Sequence, residues 1–189
     1  MELVLSMLLG IGLAAAVGFR VFLPFFLLSA AAYFDLTSMA SGFSWMDSLP
    51  AVLALGTATA IEVGAYFIPW LDNLLDSITI PGAMLGGAAA MATTLGDSSP
   101  MFQWGLAIIA GAGTAGTIKG ATSSTRLAST ATTGGLANPV ISAGETISAI
   151  FMSVLAMLLG PVAGILAIAI LAYAIFRIFR WISRREATA

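Results

Sequence analysis

The chain has 189 residues, 59% apolar or aromatic and only 8% charged, with a formal net charge of −2 and a mean hydropathy of +1.02. A soluble domain carries about 25% charged residues, so this composition predicts one all-helical, multi-pass membrane domain: about six spans of roughly 20 residues, with no room for a separate soluble domain. The charge argues against a nucleic-acid partner, and a chain with no Cys and no His has no disulfide, no thiolate or imidazole metal ligand and no histidine base; neither an enzyme nor a cofactor is expected.

The first stretch, "MELVLSMLLGIGLAAAVGFR", carries Glu2 and no Lys or Arg ahead of its apolar run, which suits a membrane helix better than a secretory leader. The apolar segment it opens runs from about Leu3 to Phe34 and is interrupted at Arg20 and Pro24. As one straight helix it would span about 45 Å against a ~30 Å hydrocarbon core, so it must tilt, break or re-enter. The Pro24 ring meets the carbonyl of Arg20 and donates no N–H, so the helix is expected to open beside the charge, as the discontinuous helices of carriers do.

A second segment, about Leu49 to Ile68, contains Glu62 and leads into "PWLDNLLDSI". There Leu71, Leu74, Leu75 and Ile78 share one helical face opposite Asp72, Asn73 and Asp76, the pattern of an interfacial helix with Trp70 at headgroup depth. Asp72 and Asp76 stand one turn apart and are the only candidate metal ligands, a Mg²⁺ pair of the kind that holds a phosphorylated substrate. One such motif is little evidence beside a solvated face.

The third segment, about Pro81 to Leu95, is rich in Ala and Gly. The fourth starts near Met101 and grades into a Thr/Ser-rich stretch bearing Lys119 and Arg126, cations that positive-inside topology alone explains. Its stripe of Ala112, Gly116, Gly120 and Ser124 suits close helix packing and would suit a homodimer. Segment five, about Pro139 to Leu159, holds Glu145, with Asn138 as the expected N-cap at an anion-tolerant helix end. Segment six, Pro161 to about Trp181, follows through a tight Gly160-Pro161 turn.

Arg177, Arg180, Arg184 and Arg185 gather in the tail 177–189, whereas the loops with Asp35, Asp47 and Asp97 contain no Lys or Arg. The C-terminus is therefore expected in the cytoplasm and, with six spans, the N-terminus too, in the inner membrane. The tail also suits contact with anionic lipid. One order of features occurs twice, about 1–97 and 98–182: a cation-bearing helix (Arg20; Lys119 and Arg126), a glutamate-bearing helix (Glu62; Glu145) and a helix opened by proline (Pro81; Pro161). A unit of three helices predicts an inverted repeat, with broken helices around a midplane site.

Arginine within the bilayer costs about 3 kcal/mol or more and is kept only when paired or facing water. Glu62 and Glu145 are the expected partners of Arg20. The leading expectation is a transporter-like protein moving a small solute or ion through a midplane charge cluster of Arg20, Glu62 and Glu145, with Lys119 and Arg126 at its cytoplasmic approach and Asn138 as a further candidate binding residue. More cations than carboxylates would favour an anion. The alternatives are a non-transporting scaffold or assembly factor whose ion pairs are staples, and a Mg²⁺-dependent lipid-processing enzyme using Asp72 and Asp76.

The stretches "GIGLAAAVGFRVFLP" and "EVGAYFIPWLDNLLDSI", with a later Lys/Arg segment followed by "NPVISAGE", resemble the family of small bacterial membrane proteins catalogued as domain of unknown function 4126, over nearly the whole chain. The resemblance implies a compact multi-pass inner-membrane protein and maps the family's recurring charged and proline positions onto Arg20, Pro24, Glu62, Pro69, Asp72, Asp76 and Glu145. It implies no substrate.

Overall fold

The computed structural model describes the chain outside residues 1, 40, 67, 68, 97 and 187–189, and its side chains outside 41, 69–77, 177–179 and 181–186 as well. Eight α-helices account for most of it: α1 (Glu2–Phe19), α2 (Phe22–Tyr33), α3 (Leu49–Ala65), α4 (Pro69–Thr94), α5 (Pro100–Leu106), α6 (Gly113–Thr133), α7 (Asn138–Leu158) and α8 (Gly160–Glu186). A 3-10 turn at Ser41–Asp47 precedes α3, and a π-helical segment, Ala107–Ala112, joins α5 to α6 in one continuous rod. No strand occurs among the described residues.

Local chemistry sets the boundaries. Ser48 caps α3, its hydroxyl accepting from Ala51 N at 3.4 Å, with Pro50 in the first turn where no N–H is needed. Gly134 ends α6 in the left-handed conformation, φ 64°. Pro81 does not open a helix: α4 runs through it without interruption, so the expected interfacial helix and third segment are one element. Three helices, Glu2–Phe19, Pro100–Thr133 and Asn138–Leu158, are long and apolar enough to cross a membrane, and Phe22–Tyr33, Leu49–Ala65, Ile78–Thr94 and Gly160–Phe176 are shorter apolar helices.

Helix α1 is the axis of the bundle, packed on α4, α6, α7 and α8. Its run from Gly12 to Gly18 is buried throughout and holds no residue larger than Leu13 and Val17, and small side chains let neighbouring backbones approach where lipid supplies no hydrophobic drive. A Cβ on Gly18 would lie 2.7 Å from Ile118 Cβ and 2.9 Å from Ala115 O.

Helix directions follow from these contacts. Gly10 lies on Met91 and Gly86 on Val17, so α4 runs antiparallel to α1; Gly12 meets Ala156 while Arg20 reaches Ser142, so α7 does too. Leu9 faces Gly160 and Gly12 faces Ala163, so α8 runs parallel to α1. Leu28 of α2 lines the same cleft as Leu9 and Leu13, which requires α2 to fold back along α1 after the break at Arg20.

That hairpin makes two helices of the first apolar segment, and the Glu2 end of α1 and the Glu186 end of α8 lie at opposite ends of the bundle. Helix α6 runs antiparallel to α4, with Gly111 on Met91 and Gly116 on Met84, and hence parallel to α1, so the helix directions do not bear out the inverted repeat.

Candidate functional site at the broken helix

Helix α1 stops at Phe19, Arg20 N still donates to Ala16 O at 3.1 Å, and α2 restarts at Phe22. Pro24 falls in the first turn of α2, where its missing N–H removes no helical bond. The first N–H groups of α2 are orphan donors, and Val21, the N-cap, supplies no side-chain acceptor. Glu62 of α3 supplies it: its Oε1 accepts from Val21 N at 2.6 Å and its Oε2 from Phe22 N at 3.0 Å. The carboxylate thus sits on the positive end of α2.

This corrects the expected Arg20–Glu62 pair. Arg20, wholly buried, points to α7, where Nη2 donates to Ser142 O at 2.9 Å and Ser142 Oγ at 2.5 Å, and Nε donates to Thr146 Oγ1 at 3.1 Å. Nη2 lies 3.8 Å from Glu145 Oε2. Its remaining nitrogen, Nη1, is buried without a hydrogen-bond partner. Ser142, Glu145 and Thr146 fall within adjacent turns of one helix, so α7 presents all three to a single guanidinium.

Lys119 and Arg126 do not stand at an approach; they are 1% and 2% exposed and belong to the cluster. Arg126 Nε donates to Glu145 Oε1 at 3.1 Å and its Nη2 to Oε2, a two-point fork on one carboxylate. Glu145 therefore bridges Arg126 and Arg20. Tyr66, four residues after Glu62 on the same helical face, forms the centre: its ring centroid is 4.2 Å from Arg20 Cζ, 4.0 Å from Arg126 Cζ and 5.0 Å from Lys119 Nζ. Lys119 Nζ also donates to the Tyr66 hydroxyl at 2.9 Å. The π face of Tyr66 attracts the cations that would otherwise only repel one another.

Sequence reasoning missed Tyr66 and Ser142 as site residues. The i, i+4 spacing of Glu62 and Tyr66, and the i−3 and i+1 hydroxyls around Glu145, are the signals that point to them. Asn138 does not cap α7. Ala137 holds that position, and the Asn138 amide donates to Thr130 Oγ1 of α6 at 3.1 Å, a turn beyond Ser142. Asp72 and Asp76 lie outside the residues with described side chains.

Along the bundle, the contacts Leu9–Gly160, Gly12–Ala163 and Leu8–Gly164 put Arg20 at the level of the second half of α8, toward the end of the bundle that carries the tail. The chain is thus an all-helical protein with three helices long and apolar enough to cross a membrane, and with buried, bridged charges at the break in its central helix.

The chain belongs to the family described as Domain of unknown function (DUF4126), whose model matches residues 7–181. No curated protein and no solved structure matches it.

Proposed function

We propose that the protein moves a small anionic solute across the membrane, with Arg20 as the group that meets it. The observation that carries this reading is Nη1 of Arg20: a permanently charged donor, fully buried at a helix break, with no hydrogen-bond partner. Guanidinium donates only, and an unmatched buried donor costs about 1–3 kcal/mol, so the group that best complements it is an oxyanion or halide. Glu62 supports the same reading, because its carboxylate already occupies a site for negative charge at the start of α2 and would be the group an entering anion displaces.

The basic tail of α8 would face the cytoplasm, by the positive-inside rule, which puts the cluster near the cytoplasmic face of the inner membrane and the start of α1 on the other side. The competing reading is a non-transporting scaffold in which the charges are staples; the bridging of Arg20 and Arg126 by Glu145 favours it.

The two separate in proteoliposomes loaded with potassium chloride, potassium phosphate or potassium acetate, where valinomycin makes potassium efflux report anion permeability. Wild-type protein should pass at least one of these anions, and Arg20→Gln should slow it about tenfold, the kinetic equivalent of a charge-assisted hydrogen bond. Unchanged flux in folded Arg20→Gln and Glu62→Gln proteins, or no flux of any of the three, rejects transport by this site.

A further inference from the structure

At the end of the bundle away from the basic tail lies a cleft of about 500 Å³ between α1, α2, α4 and α7, lined by Leu9, Leu13, Leu28, Thr93, Thr94 and Met157 among others. We infer that this cleft is the far-side entrance to the Arg20 site, closed from it by one layer of side chains, Val17, Val21 and Phe25 against Gly86. The inference rests on the transport reading and extends it.

Four observations lead there. The volume lies within the ~300–1,000 Å³ of small-molecule sites. Among the described residues the lining holds no charged one, so that part of it offers passage rather than a second deep well for an ion. Thr93 and Thr94 donate their hydroxyl protons to Ala90 O and Met91 O, at 2.7 and 2.8 Å, and turn only lone pairs outward; with the exposed Ser38 at the rim they make the upper wall wettable.

The cleft floor and the site also share the same two helices. Leu13 and Leu28, 2% and 7% exposed, form the floor, and Arg20 lies about 10 Å beyond Leu13 along α1 at the helical rise. Val17, Val21 and Phe25 pack in one cluster with Leu13 and Leu28. A Cβ on Gly86 would lie 3.0 Å from Val17 Cγ1, 3.4 Å from Val21 Cγ1 and 3.5 Å from Phe25 Cε2, so these three side chains fill the space that the glycine leaves on α4. Val21 also gives its N–H to Glu62. Movement of Glu62 off the start of α2 therefore frees a member of the barrier, linking occupancy at the site to opening toward the cleft.

The missing cysteines permit a direct test in reconstituted protein. Thr94→Cys, close to isosteric, is compared with Ile150→Cys on the exposed apolar face of α7, using a membrane-impermeant sulfonated maleimide applied from the side opposite the tail. Thiols react as thiolates, which form in water and not in lipid, so Thr94→Cys should label at least about tenfold faster than Ile150→Cys. Removing the barrier with Phe25→Ala should raise far-side labelling of Thr146→Cys, beside Arg20, by a similar factor. Thr94→Cys reached only by a lipid-soluble maleimide overturns the entrance, and so does a Thr146→Cys rate that Phe25→Ala leaves unchanged in a monodisperse protein. If anion flux still depends on Arg20 in either case, transport stands and only this entrance fails; a labelled cleft in a protein without Arg20-dependent flux overturns the transport reading and the entrance with it.

Discussion

Glu145 is the carboxylate that bridges the two buried guanidinium groups, since it faces Arg126 through two oxygens and Arg20 through one. Removing it leaves guanidinium groups buried without that counter-charge, so Glu145→Ala should destabilise the protein by about 3–5 kcal/mol, read by unfolding in detergent. Glu62→Gln should cost less, about 1–2 kcal/mol, because the amide carbonyl still accepts one of the two N–H groups at the start of α2; an equal loss from both changes would contradict the division of roles. The sequence made Arg20 and Pro24 legible as a break, because a charge and a missing N–H are local properties. It did not reveal that Glu62 would serve backbone donors rather than the guanidinium, since orphan N–H groups exist only once the break has formed. Lys119 and Arg126 look like topology signals when counted along the chain; only folding brings them to Tyr66.

Among the helices, glycines divide by what they face. A Cβ on Gly87 would lie 2.5 Å from Gly111 O, and backbone cannot rotate away as a side chain can, so Gly87→Ala should cost about 1–3 kcal/mol. Gly120, with nothing within 4 Å of its Cβ position, should gain up to about 1 kcal/mol on changing to Ala, from helix propensity alone. Thermal unfolding of the two variants in one detergent checks both signs, and stabilisation by Gly87→Ala would refute the close α4–π-segment contact. The stripe of Ala112, Gly116, Gly120 and Ser124 is only partly a packing surface: Gly116 meets Met84, while Ser124 is exposed. Apolar runs predicted most of the helices, since hydropathy is a property of each segment. Their pairing is not, and so α4 continued through Pro81 and the expected repeat did not match the helix directions.

For the whole molecule, α1 and α8 run parallel, so Leu3→Cys near the start of α1 and Arg180→Cys near the end of α8, both at exposed positions, should react with an impermeant maleimide from opposite faces of the membrane. Reaction of both from one face would contradict the parallel packing of α1 and α8. Transport as proposed requires the Arg20 site to be visited from both sides rather than sealed. Thr146 is part-buried and bonded to Arg20 Nε, so labelling of Thr146→Cys with an impermeant maleimide added to one face or the other tests it most directly. A carrier predicts reaction from each face; a site reached from neither would make the cluster a staple.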